Sequence, residues 1–115
     1  MTPAQANKAC AWALRQLGLQ DWSVRLALCD EQPSFAPQDD YTSLYGLNIL
    51  NCREKVADIW VRPGMHKTTS AIVDTICHEV LHIALHEAGL SNDKQGDEAE
   101  FFIGRVAAVM AKARR

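Results

Sequence analysis

The stretch over residues 71–88 places the strongest constraint on how this 115-residue chain folds. Hydroxyl side chains at Thr68, Thr69 and Ser70 precede it as candidate N-caps and Gly89 follows it, so the pattern predicts one helix. Apolar residues surround most of this helix instead of lining a single face. They are Ile72, Val73, Ile76, Val80, Leu81, Ile83 and Leu85. Because a helix that is apolar on most sides is normally buried, we expect it in the interior.

The other segments carry the patterns of a helix, strands and a connecting loop. In chain order they are a helix over residues 3–18, a strand over 22–28, a loop over 30–42, a hairpin of strands 44–50 and 56–61, and a helix over about 97–115. Together with the buried helix, this order predicts a small α+β fold with a three-stranded sheet. We take residues 1–115 as a single domain, since no change of composition marks a linker.

Charge and hydropathy exclude several classes of protein. The chain has 12 Lys and Arg against 14 Asp and Glu, a net charge of −2, which argues against a nucleic-acid or membrane partner held by bulk charge. No basic and then apolar leader is visible, and no apolar run approaches the roughly 18 residues of a membrane span, so we expect a cytoplasmic protein. The four cysteines form no C-x-x-C pair, and we expect small buried side chains rather than zinc ligands.

The helix over 71–88 contains His78-Glu79-Val80-Leu81-His82, an H-E-x-x-H motif. The i, i+4 spacing places both imidazoles on one face, about 6 Å apart along the axis, where they can share one zinc ion. Glu79 lies about 100° around the helix from His78, a position suited to accepting a proton from zinc-bound water. The alternative is a helix that carries two histidines and a surface glutamate by chance.

A catalytic zinc ion needs a third protein ligand and an open position for water. His86 lies about 12 Å along the helix axis from His78, which is too far for one ion, and we expect it near solvent. His66 precedes the helix, where we expect an ordinary loop histidine. No histidine follows Gly89, so the third ligand should be an acid near the last helix. The candidates are Asp93, Asp97, Glu98 and Glu100.

The residues that follow each glutamate along the last helix favour Glu100 over Glu98. On the Glu100 side the helix has the small residues Gly104, Ala107 and Ala111, which let another helix approach closely. The Glu98 side has larger residues, namely Phe102, Arg105 and Val109. Glu98 remains the alternative ligand.

We expect an apolar stripe of this helix to face the core. It consists of Ala99, Phe102, Ile103, Val106 and Met110.

Residues 75–90 resemble the active-site helix of compact gluzincin-type metallopeptidases. These are the minigluzincins and related short phage proteins, with a more distant likeness to SprT-like and ImmA/IrrE-like peptidases. Residues 100–107 are similar to the second helix of that family, in which a glutamate precedes an apolar-Arg-apolar-Ala pattern. The resemblance implies a zincin-like layout, with a helix, a three-stranded sheet and two further helices.

The resemblance also implies roles for four residues. His78, His82 and Glu100 would bind zinc, and Glu79 would serve as general base and acid. The implied activity is that of a zinc metallopeptidase, which hydrolyses a peptide bond by attack of zinc-bound water that Glu79 activates.

Two departures from the family pattern bear on this activity. Larger gluzincins have an acidic residue four positions after the ligand glutamate, where it orients a zinc-bound histidine. Here that position is Gly104, so the role is unfilled or falls to Asp74, one turn before His78, for which a solvated acid is the alternative. No later His or Tyr can stabilise an oxyanion, which leaves Tyr41 and Tyr45 as candidates against ordinary packing.

We therefore expect a peptidase whose small cleft takes a narrow protein substrate or a partner domain. The strand over 56–61 would hold an extended peptide by backbone pairing, as edge strands do. One alternative is a small zinc ribonuclease, which would call for a third histidine and a basic surface that this chain lacks. Another is a zinc-stabilised interaction protein without turnover, which Gly104 and the missing oxyanion residue support. The sequence leaves the oligomeric state open.

Overall fold

A computed structural model describes residues 1–36, 45–90 and 92–114, and for 92–97 only the backbone. The elements are α1 (Pro3–Gln16), β1 (Ser23–Leu28), β2 (Gly46–Asn51), β3 (Val56–Val61), a short 3-10 turn (Pro63–Met65), α2 (Thr69–Glu87) and α3 (Asn92–Arg114). The predicted α+β fold is confirmed, with a sheet of three strands and helices before and after it. Residues 37–42 of the predicted loop lie outside the described residues.

Local chemistry determines both ends of α1. The Thr2 hydroxyl accepts from the Gln5 backbone N–H at 3.1 Å, and the Gln5 side chain accepts from the Thr2 backbone N–H at 2.8 Å. The helix ends two residues before the predicted position because Gly18 adopts a left-handed conformation, with φ of 69°. Its buried face consists mostly of small side chains, which allows close packing against α2. These residues are Ala6, Ala9, Cys10, Ala13 and Leu14.

The sheet has the strand order β1-β3-β2. β2 and β3 pair antiparallel, with Gly46 opposite Val61, so the predicted hairpin is confirmed. β1 pairs parallel to β3 from Ser23 opposite Val56 onward, which makes β3 the central strand. The prediction that residues 56–61 offer a free edge to a substrate is therefore wrong. Among the described residues, β1 and β2 are the two outer strands of the sheet.

α2 is the central element of the fold, as its apolar circumference predicts. The Thr68 hydroxyl accepts from the Ala71 backbone N–H at 3.0 Å and begins the helix, and Gly89, with φ of 78°, follows its end. α2 packs against α1, α3, β2 and β3. Its residues Ile76, Cys77, Val80 and Ile83 are fully buried, and this burial confirms the expected position.

α3 begins at Asn92, five residues before the predicted Asp97. The structure continues the helix through Gly96, a residue type that disfavours a helix interior by about 1 kcal/mol. As a result, Glu100 lies about two turns inside α3. The charge of a helix terminus acts mainly within the first turn, so stabilisation of the helix dipole does not explain this glutamate.

α3 turns its small residues, not its largest ones, toward α2. Ala99, Ile103, Ala107 and Ala111 are buried, and Val106 and Met110 are partly buried against the core. The expectation that Phe102 belongs to this stripe is wrong, since its side chain is 65 % exposed. Small side chains allow the closest approach of two helices, and this approach places Phe102 on the far side of α3.

The cysteines divide into two buried and two more accessible thiols, all four of them unpaired. Burial raises the pKa of Cys10 to about 12 and the pKa of Cys77 to about 11, so both stay protonated and pack as small apolar groups. Cys29 is half-buried, and Cys52 is exposed in the turn between β2 and β3. The expectation of burial is therefore right for Cys10 and Cys77 and wrong for Cys52.

A helix that spans a membrane must be both long and apolar, and none of the helices in the described residues has both properties.

A polar cluster joins the end of α2 to the start of β1 and to the β2–β3 turn. The indole N–H of Trp22 donates to the Glu87 carboxylate at 2.9 Å, and Lys55 Nζ lies 3.4 Å from the other oxygen of that carboxylate. Lys55 also pairs with Asp21, and its own backbone is left-handed, with φ of 56°. The cluster fixes three separate elements around one carboxylate.

Glu87→Ala is expected to destabilise the protein by about 1–2 kcal/mol, because it leaves the indole N–H of buried Trp22 without its acceptor. Thermal unfolding followed by circular dichroism measures the loss. Glu87→Gln is the matched control, since the amide oxygen keeps an acceptor at the same place. Equal melting temperatures for the two variants would contradict the role assigned to this hydrogen bond.

Candidate metal centre

Three side chains from two helices converge at one side of the contact between α2 and α3. α2 presents His78 and His82 on one face, with ring centroids 5.0 Å apart, and α3 presents Glu100 opposite them. Glu100 Oε2 lies 3.1 Å from His78 Nε2, and Glu100 Oε1 lies 3.2 Å from His82 Nε2. One donor atom from each residue lies within 4.8 Å of the other two, so the group could hold a metal ion.

The three residues offer ligand atoms close enough together to bind one ion. Zinc bonds of about 2.0–2.1 Å place neighbouring ligand atoms of a tetrahedral ion roughly 3.3–3.4 Å apart, and the three donor atoms here lie within 4.8 Å of one another. Two imidazoles and one carboxylate form a donor set that zinc accepts. Burial lowers the pKa of His82, which favours the neutral imidazole that metal binding requires. Glu100 is partly exposed, so one side of the group faces solvent.

The close approach of α3 to α2 brings Glu100 to the histidines. Ala107 and Ala111 are buried at the contact between the two helices, and space remains around Gly104. Glu98, the alternative ligand in the sequence analysis, is exposed and lies outside the group. The side chains of the two remaining candidates, Asp93 and Asp97, lie outside the described residues.

Comparisons with protein-family models, with curated proteins and with solved structures find no match to this chain. The resemblance to gluzincins therefore rests on the residues of α2 and α3 and stays a prediction. In the structure His78, His82 and Glu100 lie close together, an arrangement compatible with an H-E-x-x-H metal site.

Glu79 lies beside the three residues, with its side chain buried and directed toward the sheet. It is 6 % exposed, and burial raises the pKa of its carboxyl group. The side-chain amide of Asn48, on β2, donates a hydrogen bond to Glu79 Oε1. Glu79 Oε2 lies beside Gly46, where an added Cβ atom would come within 3.2 Å of this oxygen and 2.8 Å of Thr75 Cγ2. Asn48 therefore holds one oxygen of the carboxylate, and Gly46 leaves room for the other.

The sequence analysis missed both Asn48 and Gly46. A polar amide inside the apolar strand Gly46–Asn51 is the signal that could have identified the first. No sequence signal identifies Gly46, because its role depends on the approach of α2 to β2 in the folded chain.

Two adjacent cavities form a cleft along β2, and both include Gly46, His78 and Glu79 in their walls. The larger cavity, of about 580 Å³, is also lined by Tyr45, Met65, His66, Lys67, Ala71, Asp74 and Thr75. The smaller cavity, of about 340 Å³, is also lined by Leu47, Asn48, His82, His86 and Glu100. The buried carboxylate thus lies where the two halves of the cleft meet.

The other two histidines lie at the cleft but outside the three-residue group. His66 Nδ1 lies 2.7 Å from the Arg62 carbonyl, which only accepts, so this nitrogen donates. In the neutral ring, His66 Nε2 then accepts from the Thr75 hydroxyl at 2.7 Å. Both ring nitrogens are therefore engaged in the fold. His86 lines the smaller cavity at the end nearer the C-terminus of α2.

The structure assigns no orienting contact to Asp74. Its side chain is half-buried in the wall of the larger cavity, burial raises its pKa, and it makes no hydrogen bond to His78. Tyr41 lies outside the described residues. Tyr45 is exposed at the wall of the larger cavity, with its ring centroid 5.6 Å from that of His66.

Proposed function

We propose that this protein is a zinc-dependent metallopeptidase in which His78, His82 and Glu100 bind the metal. Glu79 is its general base and acid. The observation that carries the proposal is the convergence of two histidines and a carboxylate beside a buried glutamate in an open cleft. The zinc identity follows from the donor set and from the resemblance of α2 and α3 to gluzincins.

When bound, zinc supplies Lewis acidity that lowers the pKa of water toward 7 and polarises a carbonyl group. The Glu79 carboxylate, held at one oxygen by Asn48, accepts the proton of the attacking water at its other oxygen, beside Gly46. It then donates this proton to the nitrogen of the leaving amine. Burial makes Glu79 a stronger base than a solvated carboxylate, because its pKa is raised.

The substrate we propose is an extended segment of a protein or peptide bound along β2. In the described part of the chain no strand pairs with the outer side of β2, so its backbone N–H and C=O groups there can pair with a peptide, and β2 replaces β3 in that role. The two cavities on either side of Glu79 can receive side chains from both sides of the cleaved bond. The four unpaired cysteines suit a reducing compartment, and we place the activity in the cytoplasm.

The second candidate function is a zinc-stabilised interaction protein without turnover. It is favoured by Gly104, which stands where larger gluzincins have an orienting acid, and by the lack of a hydrogen bond from His78 to Asp74 in the described part of the chain. Under this alternative, the metal joins α2 to α3 and the cleft binds a partner without cleaving it.

The test is metal analysis of protein purified without added zinc, followed by incubation with a peptide library read by mass spectrometry. We expect about one zinc ion per chain and cleavage of a restricted set of peptides that a chelator abolishes. Protein without metal, and with no affinity for zinc on titration, would overturn the metal assignment. One zinc ion per chain without cleavage would favour the interaction protein.

A further inference from the structure

One face of α3 packs closely against the rest of the described fold. The opposite face contains large apolar side chains that the described residues leave exposed. The covered face contains Ala99, Ile103, Ala107 and Ala111. On the opposite side, within about 100° of the helix circumference, lies what we call the outer face. It contains Glu98, Phe101, Phe102, Arg105, Val109 and Lys112, all of them exposed.

The outer face contains three large apolar side chains that are exposed. Phe101 is 69 % exposed, Phe102 is 65 % exposed and Val109 is 66 % exposed. Together these three side chains leave roughly 300–400 Å² of apolar area in contact with water, as much as the largest patch on a typical monomer. The largest apolar patch of a monomer is often functional, and a binding surface is the commonest role.

We propose that the outer face of α3 pairs antiparallel with the outer face of a second copy of this chain. The argument is charge complementarity. Glu98 lies at one end of the face and Lys112 at the other, about 21 Å away along the axis. In an antiparallel pair with its two-fold axis near Arg105, Glu98 lies against the partner's Lys112, and the same contact occurs twice. A parallel pair would place like charges together at both ends.

The apolar residues fit the same arrangement. Phe102 lies three residues before the two-fold axis and Val109 four residues after it, so Phe102 packs against the partner's Val109. The Arg105 guanidinium lies 5.8 Å from the centre of the Phe101 ring, one turn toward the N-terminus of α3. The two guanidinium groups of an antiparallel pair therefore point away from the axis in opposite directions, which reduces their repulsion.

Pairing through the outer face leaves the metal centre open. Glu100 lies about 140° around α3 from Arg105 and faces α2, so a second copy does not cover the cleft. The inference is therefore independent of the proposed peptidase activity, and its test needs neither zinc nor a substrate.

The size of the outer face indicates a reversible dimer. Two copies would bury roughly 700 Å² of apolar side-chain area, and the charged ends would add to it. This area is less than the total of about 1,600 Å² that a standard interface buries. We expect mostly monomer at about 1 µM and mostly dimer at several hundred micromolar.

Sedimentation velocity over this concentration range tests the proposal. Phe102→Gln is expected to weaken dimerisation at least about tenfold, since it removes the largest contact at the centre of the face. Leu90→Gln is the matched control, because Leu90 is also an exposed apolar residue but lies outside the outer face. Its dimerisation should equal that of the wild type. A wild-type chain that stays monomeric up to several hundred micromolar would overturn the proposal.

Charge reversal tests the antiparallel geometry. Glu98→Lys and Lys112→Glu are each expected to weaken the dimer about fivefold, because each converts two attractive contacts into two repulsive ones. The double variant should recover the wild-type constant, since both contacts become attractive again. Loss without recovery would overturn the antiparallel arrangement. A monomer that binds anionic vesicles through Phe102 would replace the dimer with a membrane surface.

Discussion

Glu100→Gln is expected to weaken zinc binding at least about 100-fold, because it replaces the anionic ligand of the group with a neutral amide. Glu98→Gln is the matched control, since it removes the same charge from the same helix on the side away from the histidines. We expect its zinc affinity to equal that of the wild type. Competition with a chromophoric chelator measures both constants.

Glu100→Gln and Glu98→Gln are also expected to differ in thermal stability when zinc is present. Zinc at about 100 times its dissociation constant should stabilise the wild type by about 2.7 kcal/mol, which for a chain of this size raises the melting temperature by about 10 °C. Glu98→Gln should show the full increase and Glu100→Gln almost none at the same zinc concentration. Zinc lost in Glu98→Gln and kept in Glu100→Gln would exchange the roles of the two glutamates.

Glu79→Gln is expected to lower peptide hydrolysis by about 10²- to 10⁴-fold while zinc stays bound. The amide cannot accept the proton of the attacking water, yet its oxygen can still accept the hydrogen bond from Asn48. The variant should therefore retain the fold and the metal. Hydrolysis at the wild-type rate by Glu79→Gln would show that another group is the base.

The same substitution has a second expected effect, on the stability of the metal-free protein. Burial raises the pKa of Glu79, so the folded state binds this proton more tightly than the unfolded state does. Stability is therefore lost as pH rises from the ordinary carboxyl range through the raised pKa. At neutral pH, Glu79→Gln should stabilise the metal-free chain by about 1 kcal/mol. Urea unfolding at pH 4 and pH 7 measures the difference, which should shrink at pH 4.

The features of α2 show how much of this structure can be predicted from residues that are neighbours in the sequence. The N-cap, the apolar circumference, the stop at Gly89 and the spacing of His78 and His82 all act within a few residues along one helix. Each could be predicted, because helix geometry converts a sequence interval directly into a direction in space. Glu100 was favoured for a related reason, since the small residues that follow it indicated which side of α3 approaches another helix.

The predictions that were wrong concern elements that meet across long stretches of chain. β3 is central because β1 pairs with it in parallel over a separation of 33 residues in the chain, and no local pattern announces that pairing. Phe102 was expected in the core because large apolar residues are usually buried. In the folded chain the small residues of α3 allow the closer contact with α2, which leaves Phe102 exposed.

The sequence alone therefore determined the helices, the α+β class and the placement of His78, Glu79 and His82 on one helix, since these follow from short-range periodicity. The tertiary structure decided which acid meets the histidines, that Asn48 holds Glu79, and which of the described strands lies at the edge of the sheet beside the cleft. It also decided that α3 keeps a second apolar face in solvent. These features depend on distances between side chains that lie far apart in the chain, and only packing of the complete fold determines such distances.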